Sequence, residues 1–280
     1  MKKQYKKKVL YISYDGLLEP LGKSQILEYL KVLSKKNSFY VISFEKKSDI
    51  NNKTSLQKLQ KELEDNNIIW KRYIYSNKKN LIYLIKNYII SSSYILFLLF
   101  FLRIKIIHIR SYIPGFILFP YLYLSSIKLI FDMRGFLPLE KIERENWKQN
   151  EIKLRLLKNL EKYLIKRSSK IVTLTNESKQ IINRNFKINY NKIEVIPTCV
   201  NVNRFKISNN KKISDRINLC FLGSVNQAYD FDRIVEFSTN LINFNKKYFI
   251  NFFINDKKDY IKKKLSKNKI DENRFNIEFI

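Results

Sequence analysis

The chain has 280 residues, 45% of them apolar, which is enough for a sizeable core and argues against intrinsic disorder. That length fits one large or two smaller domains. Lys and Arg outnumber Asp and Glu by 54 to 25, a formal charge of +29. Such a surface attracts anions, acidic phospholipid and nucleic acid alike.

Part of that charge is compositional. Lys, Asn, Ile, Tyr and Phe abound while alanine occurs once, at Ala228, the skew of an A+T-rich coding sequence. No nucleic-acid recognition motif accompanies the charge, so nucleic acid is not an expected partner. Cys199 and Cys220 both sit in apolar, strand-like runs. They are expected to be buried free thiols rather than a disulfide or a metal site.

The basic start, Met1–Lys8, runs into a short strand-like segment, not into the apolar stretch of a signal peptide, so a cytoplasmic location is expected. Strand-like and helix-like runs then alternate. Val9–Ser13 is a strand and Ser24–Lys36 a helix, with Ile26, Leu27, Leu30 and Leu33 on one face. Phe39–Phe44 follows as a strand, and Thr54–Asn66 as a helix opened by a capping box at Thr54 and Gln57. Further strands fit Ile68–Tyr73, Ile104–Ile109, Lys128–Phe131, Ile171–Leu174 and Ile193–Ile196, and the longest helical pattern spans Ile142–Arg167. This alternation calls for a parallel sheet covered by helices on both faces.

The polar stretch 206–216 reads as a linker between a first domain, 1–205, and a second part, 217–280. The second part repeats the pattern: strand Ile217–Leu222, helix Phe231–Phe244, strand Phe249–Ile254, helix Lys257–Ser266 and strand Asn276–Ile280. It amounts to half of a nucleotide-binding sheet, so the second domain is expected to be cut short.

Leu81–Leu102 is strongly apolar, but Lys86, Asn87 and Ser91–Ser93 interrupt it, leaving about a dozen residues where a span needs about 20. It reads as a core helix, as a helix lying in a bilayer surface, or, least well, as a span.

In a chain with five glycines and five prolines, Gly16, Pro20, Gly22, Gly135 and Pro138 gather in two loops that follow strands. Open α/β sheets bind ligands at such strand ends. Gly22 would let a ligand approach the amides of Lys23, Ser24 and Gln25, where a helix dipole favours an anion, or it simply allows an ordinary turn capped by Ser24. Neither a Walker loop nor a dinucleotide fingerprint is present.

Asp132, Arg134 and Gly135 follow another strand; an acid and a guanidinium there suit sugar hydroxyls or phosphate, or form a surface ion pair. Glu140, Glu143, Arg144 and Glu145 read first as a solvated helix start. His108, the single histidine, reads as structural, with Arg110 and Ser111 the better anion binders. Asp230-Phe-Asp232 looks like a metal-binding D-x-D, but its place before a helix fits an N-cap better. No metal-ligand cluster and no nucleophilic triad has suitable spacing.

These residues together resemble the family-4 glycosyltransferases of the GT-B fold, above all their bacterial amino-terminal domain. The likeness is carried by Tyr14–Gln25, by His108–Pro114, and by Phe131–Phe136 with Glu140 and Trp147 downstream. It continues in Val172–Thr175, Ile196–Asn201, Arg204 and Phe205.

The resemblance implies a doubly wound, Rossmann-like acceptor-side domain followed by an incomplete Rossmann-like domain for a nucleotide-sugar. It also implies retaining transfer without a metal cofactor, to a glycan or lipid-linked acceptor in cell-surface polysaccharide or glycolipid synthesis. The enzyme would work on the cytoplasmic, anionic face of the membrane.

By that analogy Asp132 stands where many relatives carry a histidine that touches the transferred sugar. Gly22, Lys23, Ser24, Arg110, Ser111, Arg134, Gly135 and Glu140 would bind substrate. Gly223 and Ser224 would approach the donor, with Ser224 and Gln227 where relatives place Arg and Lys. A carboxylate pair usual in the donor site is missing from these 280 residues. The alternative is a non-catalytic remnant that binds a glycan or an anionic lipid.

Overall fold

The computed structural model describes residues 6–75, 81–124, 126–203, 216–223, 225, 230–254, 258–267 and 271–279. The chain divides into two compact units, Met1–Phe205 and Lys206–Ile280.

In the first unit the strands are β1 (Lys7–Ser13), β2 (Asn37–Lys46), β3 (Ile68–Tyr75), β4 (Ile106–Arg110), β5 (Lys128–Asp132), β6 (Lys170–Thr173) and β7 (Ile193–Val195). They form one sheet in the order β3-β2-β1-β4-β5-β6-β7, parallel throughout. Between them run α1 (Pro20–Gly22), α2 (Glu28–Ser34), α3 (Lys47–Asn51), α4 (Lys53–Asp65), α5 (Leu81–Phe100), α6 (Tyr112–Leu118), α7 (Leu137–Glu145), α8 (Ile152–Arg167) and α9 (Asn176–Phe186).

Strand alternation makes this sheet doubly wound. Leu10, Ile12, Ile42 and Phe44 turn to a core shared with Ile95 and Leu98 of α5, Leu118 of α6 and Leu164 of α8. Val9, Tyr11, Phe39 and Val41 turn the other way, onto Ile26, Leu30, Leu59 and Leu63. Successive residues of one strand are thus buried on opposite faces, as the continuous apolar runs required. Each buried Leu or Ile contributes about 1.5–3 kcal/mol.

The second unit holds β8 (Ile217–Leu222), α10 (Phe231–Phe244), β9 (Tyr248–Ile254), α11 (Lys258–Lys267) and β10 (Phe275–Phe279). Its parallel sheet has the order β10-β9-β8 around a core of Phe231, Val235, Phe252 and Ile261.

Several local expectations are corrected. The helix expected at Ser24 begins at Pro20, where proline's fixed φ suits a first helical position and Glu19 is the extended cap. It widens into a π-helical turn at Lys23–Leu27 before continuing as α2. In α4 the cap is Asn52, which accepts from the Ser55 amide at 3.0 Å, so Thr54 makes no capping box.

The long pattern 142–167 is broken. Asn146 turns left-handed and ends α7, and α8 starts afresh at Ile152. Cys199 and Cys220 are exposed, because Cys199 lies in the loop after β7 and Cys220 on edge strand β8. The second half of α5 is core helix through Ile95, Leu98 and Leu99. Among the described residues no helix is long and apolar enough to cross a membrane.

Candidate functional site

The strand order reverses direction between β1 and β4, which places a crevice outside the carboxyl ends of the neighbouring strands β1, β4 and β5. The register aligns Ser13, Arg110 and Asp132 there. A cavity of about 430 Å³ opens at this point. It is lined by Tyr11 and His108 from the strands, Ser24, Gln25 and Tyr29 from the first helix, Asp132 and Arg134 after β5, and Thr198, Cys199 and Asn201 from the loop after β7. Asn201 holds that loop against α2 by donating to Glu28 Oε2 at 2.9 Å.

One polar network organises the floor. Arg110, 3% exposed, donates from Nε to Asp15 Oδ2 at 3.0 Å and from Nη2 to Gln25 Oε1 at 2.9 Å, and its Nη1 lies 3.5 Å from Asp132 Oδ2. Arg134 donates from Nη2 to Gln25 Oε1 at 2.7 Å and to Thr198 Oγ1 at 3.3 Å, with Nη1 3.7 Å from Asp132 Oδ1. Gln25 reaches both guanidiniums from the π-helical turn, a distortion common at functional sites.

Burial pushes the Asp132 carboxyl above the usual range, while Arg134 and Arg110 pull it back. Burial also lowers Arg134. His108 is held down at about 3 by burial and then by Arg110, so its imidazole is neutral at ordinary pH. Two atoms at this cavity, Asp132 Oδ1 and His108 Nε2, are buried without a hydrogen-bond partner. Orphaned polar atoms are costly in a finished core and call for an explanation.

The loop after β1 is shaped from below. Glu45, fully buried, accepts from the amides of Leu17 at 2.8 Å and Leu18 at 3.0 Å and from Ser43 Oγ at 2.5 Å. Trp70 Nε1 donates to the same Ser43 hydroxyl at 2.8 Å. An internal carboxylate thus occupies two amides that a helix-leading loop otherwise offers to a bound anion.

The sequence profile of Glycosyltransferase Family 4 matches residues 56–204, more than half of the chain. The chain belongs to glycosyltransferase family 4. Among solved structures, a glycosyltransferase from Rickettsia africae is 16% identical with a TM-score of 0.58, over 98% of this chain and 68% of that one. Sucrose-phosphate synthase from Thermosynechococcus elongatus is 8% identical with a TM-score of 0.68, over 98% and 70%. The S. aureus MnaA–UDP complex is 11% identical with a TM-score of 0.58, over 98% and 69%. Likeness at these identities is likeness of fold, here the GT-B glycosyltransferase fold. No curated protein matches the chain by sequence.

In this family-4 glycosyltransferase the cavity gathers Ser24, Asp132 and Arg134 from the residues expected in its site. Arg110 stands behind Asp132 and is fully engaged. Ser111 sits beside them, its amide donating to the Asp132 carbonyl at 2.9 Å, with φ 65° and ψ −167°. Gly22 is buried and does not line the cavity. A Cβ there would lie 1.9 Å from the Gly16 carbonyl oxygen, so its role is close backbone packing.

Lys23 is already inside the helix, its amide donating to the Glu19 carbonyl at 2.9 Å, and the Ser24 hydroxyl donates back to the Pro20 carbonyl at 2.9 Å. These two therefore do not provide the free amides and cap expected of them. Glu140 packs on Gly135 and pairs with Arg144 at 3.7 Å, the solvated helix start read from the sequence.

In the second unit the Gly223 amide extends the ladder to the Phe253 carbonyl at 3.1 Å, while Ser224 and Gln227 lie outside the described residues. Asp230 caps α10 and Asp232 pairs with Lys264. Among the described residues no group of three His, Cys, Asp or Glu is placed to hold a metal.

Sequence reasoning missed Asp15 as the partner of Arg110, Gln25 as the bridge between two arginines, and Glu45. It also missed Tyr112, whose hydroxyl lies 2.9 Å from the Gly135 carbonyl oxygen and 2.6 Å from buried Glu161. Only the contrast of Glu45 with its apolar strand neighbours gave any sequence signal.

Proposed function

We propose that this family-4 glycosyltransferase moves a sugar from a nucleotide-sugar donor to a glycan or lipid-linked acceptor, in cell-surface polysaccharide or glycolipid synthesis. The carrying observation is that Asp132 Oδ1 and His108 Nε2, both buried and without a hydrogen-bond partner, border one cavity at the switch point of the sheet. A ligand rich in hydroxyls would complete both atoms. The first unit takes the acceptor, and the second, through Gly223 and Ser224 after β8, holds the donor. The likeness in fold to the S. aureus MnaA–UDP complex supports a nucleotide-linked donor.

In this reading the bond between the anomeric carbon and the nucleotide diphosphate breaks, and an acceptor hydroxyl oxygen bonds to that carbon on the same face. The hydroxyl's proton leaves with the diphosphate. Asp132 accepts hydrogen bonds from the sugar or steadies positive charge developing at the anomeric carbon. Arg134, held by Gln25 and Thr198, orients phosphate or acceptor, and Arg110 fixes Asp132. Guanidinium groups and backbone amides do the work of charge neutralisation, so no metal cofactor is needed. The enzyme works in the cytoplasm, against the anionic inner face of the membrane.

The test is turnover of a panel of nucleotide-sugars with lipid and glycan acceptors, with and without EDTA. Transfer unaffected by EDTA, with the anomeric configuration kept, is expected. Ligand binding without turnover of any donor would favour the non-catalytic binding module instead.

A further inference from the structure

A second cavity, of about 710 Å³, lies in the first unit among α6, α7 and α8. Its walls are almost wholly apolar, built from Phe116, Phe119, Leu137, Trp147, Leu156 and Leu160. Phe116 and Leu156 are 60% and 63% exposed, and Ile152 at the start of α8 is 70% exposed, so an open apolar groove faces solvent. Two lysines stand at Trp147: Lys153 Nζ is 4.2 Å from its ring centre and Lys141 Nζ 5.6 Å. Each also pairs with an acid of its own segment, Lys141 with Glu145 and Lys153 with Glu151. Exposed pairs of this kind are weak, and they leave both ammonium groups able to meet another anion. The surrounding segment, Leu137–Arg167, carries nine basic and five acidic residues.

We infer that this groove holds a hydrocarbon chain of an anionic amphiphile, with the acidic headgroup at Lys141 and Lys153. An extended peptide would bring amide groups into walls with little to pair them, at a cost of about 1–3 kcal/mol each, whereas a hydrocarbon chain brings none. Each methylene buried there gains about 0.8 kcal/mol. One turn connects the groove with the first cavity. Arg134 lines one and Leu137 the other, and the turn between them is tied to the groove wall by the Tyr112 hydroxyl at the Gly135 carbonyl. The inference deepens the acceptor reading and rests on it in one respect: the chain belongs to the acceptor, whose sugar-accepting end reaches past Gly135 to Arg134.

Trp147 makes the groove observable, because Trp70 is the only other tryptophan. In a Trp70→Phe protein, a monoacyl phosphatidylglycerol brominated in mid-chain is titrated while fluorescence is followed. Saturable quenching is expected. Leu156→Asp and Phe116→Asp, both at exposed positions and so compatible with folding, are each expected to weaken it about tenfold or more. A maltoside carrying the same chain should bind more weakly, and glycerol phosphate should not compete.

Absent quenching, or quenching untouched by both substitutions, overturns the inference. Equal affinity for the maltoside overturns the headgroup assignment to Lys141 and Lys153. Binding of an amphipathic peptide in place of the lipid transfers the groove to a protein partner. Sugar transfer is read separately. Transfer without quenching contradicts the groove alone, and quenching without transfer contradicts the acceptor reading alone.

Discussion

His108 offers a measurable consequence of how the first cavity is built. Its ring packs edge-on against Tyr11 at 4.7 Å and Tyr29 at 6.1 Å, beside Arg110, and burial holds it at about 3 against an ordinary 6.5. Above pH 6.5 both the folded and unfolded forms carry a neutral imidazole, and the residue contributes nothing to pH dependence. Below that value the unfolded chain takes up a proton that the folded protein refuses until about pH 3. Stability therefore falls across this window, by about 3 kcal/mol at about pH 4.5.

His108→Phe keeps the ring contacts and removes the titration. Urea unfolding at neutral pH and at about pH 4.5 can be followed by Trp70 and Trp147, both in the first unit. The wild type should lose about 3 kcal/mol more than the variant over that interval. Equal losses in the two proteins would refute the picture of a neutral, desolvated histidine at the cavity floor.

Two backbone positions give further tests. Gly22→Ala places a methyl 1.9 Å from the Gly16 carbonyl oxygen and 2.9 Å from Leu17 Cα, backbone atoms that cannot swing aside. A loss of about 1–3 kcal/mol in unfolding free energy is expected, and an unchanged urea midpoint would deny the close packing. Ser111 has φ 65° and ψ −167°, a region that glycine alone occupies comfortably. Ser111→Gly should therefore gain about 1 kcal/mol in the same assay, and destabilisation would show that the serine is not strained.

The sheet was legible because its strands are short apolar runs buried on both faces, and that pattern survives any loop arrangement. Helix limits were less legible. Asparagine is a known left-handed helix end, but the run 142–167 also holds Asn150 and Asn159, so nothing singles out Asn146 as the residue that splits it, and Pro20 at a first helical turn outweighed the cap signal of Ser24. The cysteines misled because apolar neighbours indicate a strand but not whether it lies at an edge.

In the site, Asp132, Arg134 and Ser24 could be read from their places at strand and helix ends. Gln25 and Asp15 could not, and Glu45 stood out only as an acid in an apolar strand. Asp15 meets Arg110 across 95 positions of sequence and Gln25 meets Arg134 across 109, contacts that only the sheet order creates. The π-helical turn that aims Gln25 leaves no mark in side-chain periodicity.

The most direct test of the whole account is the Asp132→Asn enzyme in a sugar-transfer assay, with tryptophan fluorescence confirming that the first unit is folded. The substitution keeps the size of the side chain and removes the carboxylate that faces Arg110 and Arg134. A fall in kcat of about 100-fold or more, with a much smaller change in KM, is the expected result. Unchanged kcat in a folded Asp132→Asn protein would contradict it and move the chemistry away from this cavity.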